Sequence, residues 1–150
     1  MLLTSILRRW HRLLGLSRKP TQSWHQERLL DELRELREAK TPVERISETS
    51  DVFFTISRAA YDGCPIRELP SLTIHHAPVY AYMLGKFTSR WAFYRVAAYF
   101  CGSLHYHTVR EVVNPSKDSK LDEVATRHNI DPVKFKRIAC RLRRFWPLLP

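Results

Sequence analysis

Two carboxylate pairs, Glu32/Glu35 and Glu48/Asp51, are each spaced by three residues on segments whose patterning predicts helix, and Lys40-Thr41-Pro42 breaks the chain between them. A three-residue step keeps both members of a pair toward one side of a helix, so two antiparallel helices can converge four oxygen-bearing groups on one point. Such pairs look like half-sites for magnesium. Magnesium takes oxygen ligands at about 2.0–2.1 Å and keeps several waters, so a few carboxylates plus phosphate oxygens complete its shell. Carboxylates alone would repel a polyphosphate. With the ion present the locality turns positive, so a polyphosphate is accepted and water becomes a better nucleophile. The same residues also allow a solvated or salt-bridged helix face. The stretch DELRELREA is rich in Glu and Arg, and Glu35/Glu38 repeats the pattern one turn later.

The elements that must position these groups carry their own signals. Ser23 stands three residues before Gln26, which predicts a capping box opening a helix that runs to about Ala39, with Leu29, Leu33 and Leu36 as its apolar stripe. At 100° per residue, Glu32 and Glu35 lie on the shoulder of that stripe, partly buried and in need of partners. Thr41-Pro42-Val43-Glu44 is a stronger start, with Thr as N-cap, Pro at the first helical position and Glu completing the box. The second helix then runs from Pro42 to about Tyr61, with Ile46, Phe53, Ile56 and Ala60 inward, and Asp62-Gly63 stops it. So short a connection makes the two helices antiparallel neighbours and sets Glu32 and Glu35 opposite Glu48 and Asp51.

Glu32-x-x-Glu35, twelve intervening residues, and Glu48-x-x-Asp51 followed by Val52-Phe53-Phe54 resemble the all-α nucleoside triphosphate pyrophosphohydrolases of the MazG-like superfamily, over residues 28–59. The resemblance implies a helix hairpin that binds Mg2+ and hydrolyses a nucleotide between its α and β phosphates, usually as a homo-oligomer. Carried over residue by residue, it implies Glu32, Glu35, Glu48 and Asp51 as metal ligands and catalytic groups. It also suggests basic or amide residues beyond the second helix for the phosphates, for which Arg110, Asn114 and Lys117 are the candidates. Trp24, or a Tyr of the aromatic segment from Ala77 to Cys101, is the candidate for stacking on a nucleobase. The chain departs from the family in crowding its hairpin with Arg28, Arg34, Arg37 and Arg45. Some of these can neutralise carboxylates as ion pairs, Arg28 with Glu32 above all.

Composition bounds the rest. A chain of 150 residues, 44% hydrophobic and with only 4 glycines, is long enough for one domain with a real core and shows no run of strand alternation. The expected fold class is all-α: a helical bundle on the antiparallel hairpin, in a single domain over residues 24–150. The formal charge of +10 is uneven, being +5 over residues 1–26, −3 over residues 27–69 and +8 over residues 70–150. Basic flanks attract phosphate-rich ligands or nucleic acid. Residues 1–23 form an acid-free amphipathic segment with four Arg and one Lys, which fits either a mitochondrial presequence or a helix lying on the domain or on a membrane surface. Arg90 and Arg95 interrupt the most apolar stretch, so no transmembrane segment of roughly 20 apolar residues is expected. Cys64, Cys101 and Cys140 are odd in number and widely spaced, which suits a reduced intracellular protein, cytoplasmic or mitochondrial.

Aromatic residues crowd the segment from Ala77-Pro78 to Cys101 and read as core, with Gly85 as a break into two helices. His75-His76 and His105-x-His107 have no local ligand partners at zinc spacing and read as loop caps or surface. A rival function comes from the C-terminal third. Residues 120–145 read as helix, turn and helix, with Asp131 as N-cap and Pro132 first in a helix carrying Lys134, Lys136, Arg137, Arg141, Arg143 and Arg144. That pattern suits a nucleic-acid-binding or protein-interaction module, although basic residues alone read backbone and not sequence. The apolar tail, residues 145–150, is expected to pack back on the domain or on a partner subunit.

Overall fold

The structure, a computed structural model, describes residues 2–16 and 20–150. It is all-helical: α1 Leu2–Leu14, α2 Gln22–Glu38, α3 Pro42–Tyr61, α4 Ala77–Phe100, α5 Asp118–Arg127 and α6 Pro132–Arg143, with a 3₁₀ turn at Tyr106–Thr108 and no strand among the described residues. Contacts divide the chain into two compact units, Met1–Leu84 and Gly85–Pro150, the division falling inside α4.

In the first unit α2 packs along α3, and α1 lies on α3. The turn between α2 and α3 is built as its residues dictate. Thr41 Oγ1 accepts from the Glu44 N–H at 3.1 Å, and the Glu44 carboxylate accepts from the Thr41 and Lys40 N–H groups at 3.0 and 2.7 Å. A cap of this kind stabilises a helix by about 1 kcal/mol, and here it also fixes where α3 begins relative to α2. Gly63, at φ 82°, takes the left-handed conformation that ends α3. The N-cap of α2 differs from expectation: Thr21 holds it, accepting from Trp24 N–H, while Ser23 lies inside the helix and bonds the Thr21 hydroxyl. Both hydroxyls satisfy the sequence rule, and the residue nearer Pro20 starts the helix first.

The second unit closes around Phe93, Tyr94, Ala97, Val109, Leu121, Val124, Phe135 and Ala139. The α5–α6 pair forms as expected, with Asp131 accepting from Lys134 N–H at 2.7 Å and Asn129 supplying the left-handed residue of the turn at φ 53°. Gly85 does not break α4. A Cβ there would meet Leu148 Cδ1 at 3.2 Å, so this glycine admits the C-terminal tail against the helix. The tail does return onto its unit: Arg90 donates to the Leu149 carbonyl, Trp146 donates to the Ser89 carbonyl, and Leu149 is buried.

Candidate metal centre

Glu32 comes from the middle of α2, and Glu48 and Asp51 come from the second turn of α3 onward. The hairpin brings one oxygen from each of these three within 4.8 Å of the others. Glu35 lies outside the group. A three-residue step leaves the members of a pair about 60° apart around a helix, enough to divide them at the edge of a packed face. Glu32 falls on the α3 side and is only 2% exposed, whereas Glu35 is exposed.

Burial decides the electrostatics of Glu32. Its carboxyl is pushed up to about 7, first by desolvation and further by the charges of Asp51, Glu35 and Glu48, while Arg28 pulls the other way. Arg28 pairs with Glu32 Oε1 from one turn earlier. Glu32 Oε2 is buried without a hydrogen-bond partner. The arginine therefore satisfies half of the carboxylate and leaves an acceptor aimed into the protein, a costly state unless a cation or proton serves it.

The donor set fits a hard divalent ion: three carboxylates, all oxygen, converging from two helices, one of them buried with an unserved oxygen. Among the described residues no His or Cys joins a group of this kind. His76 instead closes the loop before α4, its Nδ1 within 2.9 Å of the Ser71 carbonyl and 3.2 Å of Thr73 Oγ1.

Beyond the carboxylates lies a polar network that the sequence did not single out. His11 Nε2 meets Ser57 Oγ at 2.9 Å, while Ser57 donates to the Phe54 carbonyl. Arg58 reaches Asp62 at 2.8 Å and the Leu16 carbonyl at 3.1 Å, and His25 Nε2 lies 3.3 Å from the same Asp62 carboxylate. The hydrogen bonds tie α1 and Leu16 beyond it to α3, and the His25–Asp62 contact sets the start of α2 beside the end of α3. Burial drives His11 down to about 3, helped by Arg58, and lowers His25 against the opposing pull of Asp62. The only sequence signal was a histidine on the apolar side of each helix.

The remaining candidate residues fall in separate places. Trp24 is 45% exposed in the first turn of α2, edge-on to His25. Arg110, Asn114 and Lys117 belong to the second unit, where Asn114 Oδ1 accepts from Ser116 N–H and Lys117 stands at the N-cap position of α5 without a side-chain cap bond. On α6, Lys134 donates to the Cys101 carbonyl, Lys136 pairs with Asp118 and Asp122, and Arg143 holds Asp118 and the Ser116 carbonyl. Arg137, Arg141 and Arg144 are exposed. Half of the basic set that suggested nucleic acid thus stitches its own unit together.

No family model, curated protein or solved structure matches the chain. No helix is long and apolar enough to cross a membrane among the described residues.

Proposed function

We propose that the protein is a magnesium-dependent nucleoside triphosphate pyrophosphohydrolase, releasing pyrophosphate and a nucleoside monophosphate. The observation that carries this is the convergence of Glu32, Glu48 and Asp51 within 4.8 Å across the hairpin, with an unserved buried oxygen on Glu32. These three residues would hold the ion, and exposed Glu35, close enough to raise the Glu32 pKa, would bind at the rim through water or directly. When bound, magnesium supplies charge neutralisation of the polyphosphate and activation of water.

The exposed side of α2 supports a nucleotide as the substrate. At 100° per residue, Trp24, Arg28 and Glu35 fall within about 40° of one another around the helix, and Trp24 stands about 12 Å along the axis from Glu32. A base stacked on Trp24 would lead its phosphates past the half-exposed Arg28 toward the carboxylates. Water attacks the α phosphorus, the bond from that phosphorus to the α–β bridging oxygen breaks, and pyrophosphate leaves with the electron pair. The same reading carries a homo-oligomer inside the cell, cytoplasmic or mitochondrial.

The test is product analysis with a panel of nucleoside triphosphates, with and without magnesium. Equimolar monophosphate and pyrophosphate, formed only with the metal, is the expected result. Inorganic phosphate as the first product, or no turnover of any nucleotide, would overturn it.

A further inference from the structure

α1 has two apolar faces, and packing on α3 uses only one. Taking Leu2 as zero and turning 100° per residue, Trp10, Leu14, Leu7 and His11 span about 80° to 180°, and these are its buried residues. Leu2, Ile6 and Leu13 fall between 0° and about 40° by the same geometry, and they are 73%, 43% and 62% exposed. Arg8, Arg12 and Arg9 continue the solvent side from about 240° to 340°, all exposed, on a helix without an acidic residue. A stripe of exposed aliphatics bordered by three arginines is thus held rigidly outward, because Trp10 packs edge-on to Phe54 and His11 bonds Ser57 on the opposite side.

We propose that this face of α1 is a docking surface for an anionic phospholipid membrane, with the helix lying flat in the headgroup region. Leu2, Ile6 and Leu13 enter the acyl boundary and the three arginines meet lipid phosphates. Charge and shape select this occupant over the others. A second copy of the chain, related by a two-fold axis, would bring three arginines against three arginines with no carboxylate on either helix. Nucleic acid would satisfy the arginines and leave the aliphatics in water, since they offer bases nothing to stack on. At 13 residues the helix is about 20 Å long, short of the roughly 30 Å hydrocarbon core, so it lies on the surface and does not span it. Docking requires no unfolding, because the residues that hold α1 to α3 stay where they are. The inference is independent of any hydrolase activity.

Co-sedimentation of the full chain with vesicles tests it, using phosphatidylcholine alone and phosphatidylcholine mixed with phosphatidylserine in equal parts. The expected result is binding to the mixed vesicles and little to the neutral ones. Replacing Arg8, Arg9 and Arg12 together by Gln lowers partitioning by roughly two orders of magnitude, at about 1 kcal/mol for each charge near the surface, whereas replacing all three by Lys preserves most of it. Leu2→Ser with Leu13→Ser lowers partitioning without altering helix content or melting, since both residues are already exposed. Wild-type binding by the Leu variant would mean only that a chain of formal charge +10 adheres to anionic lipid, and the proposal falls. Equal binding to neutral vesicles overturns it too. So does a dimer that Leu13→Ser dissociates in a chain without lipid affinity, or tight single-stranded nucleic acid binding that the Leu variant leaves unchanged.

Discussion

The described part of Met1–Leu84 is threaded with buried polar groups, among them His11, His25, Glu32, Ser50, Ser57 and Arg58, whereas Gly85–Pro150 closes over Phe93, Tyr94, Leu121, Val124, Phe135 and Ala139. Both contain buried charge, but it is handled differently. In the second unit Glu111 is met by Arg127 and His128, and Arg90 donates to the Leu149 and Val112 carbonyls. In the first, Glu32 keeps an oxygen without a hydrogen-bond partner, and both His11 and Glu32 are shifted mainly by desolvation. Apolar burial stabilises a unit without regard to pH, while desolvated titratable groups make stability conditional and hold chemistry ready. The carboxylate cluster thus lies in the unit where a buried carboxylate is left half served, while the second unit's buried Glu111 is met by two partners.

The largest expected break in that comparison is acid. The folded-state pKa of His11, about 3, lies below its ordinary 6.5, so the stability it contributes is present above 6.5 and is lost as pH falls toward 3. The loss approaches roughly 5 kcal/mol, and hydrogen exchange should show α1 and α3 opening before α5 and α6. His11→Gln should flatten this dependence between pH 6.5 and 3. Next comes Phe135→Ala, which empties the centre of the second unit and should cost about 3–5 kcal/mol at every pH, read by denaturant melts.

Glu32→Gln should act in the opposite direction. Its pKa is raised from 4.5 to about 7, so ionising Glu32 costs the fold as pH rises through that window. With chelator present, the variant should be more stable than wild type by about 3 kcal/mol at pH 8 and no different below pH 4. Smallest is Arg28→Ala, which removes a half-exposed arginine from an i to i+4 pair with the buried Glu32 and should cost about 1 kcal/mol. Its sharper readout is the Glu32 pKa by NMR, which should climb above about 7 because Arg28 is what holds it down.

The hairpin was legible because its signals are local. Thr41, Pro42 and Glu44 state a helix start within four residues, and Asp62-Gly63 states a stop. What set Glu32 apart from Glu35 was not local. A 60° difference in direction becomes buried against exposed only once α3 is in place, and helical spacing treats the two alike. The His11–Ser57 and His25–Asp62 contacts join residues 46 and 37 positions apart and leave no short-range pattern. Gly85 misled for a related reason: its meaning lies in Leu148, which packs on it from the tail.

Whether the carboxylates of the first unit serve a metal or the fold is tested most directly in Glu48→Gln, with turnover and thermal stability measured on the same preparation. A ligand role means that magnesium-dependent pyrophosphate release falls at least about 100-fold, the loss of several kcal/mol of metal stabilisation, while the melting temperature in chelator holds or rises. Turnover at the wild-type rate, or a melting temperature that falls in step with activity, would contradict it.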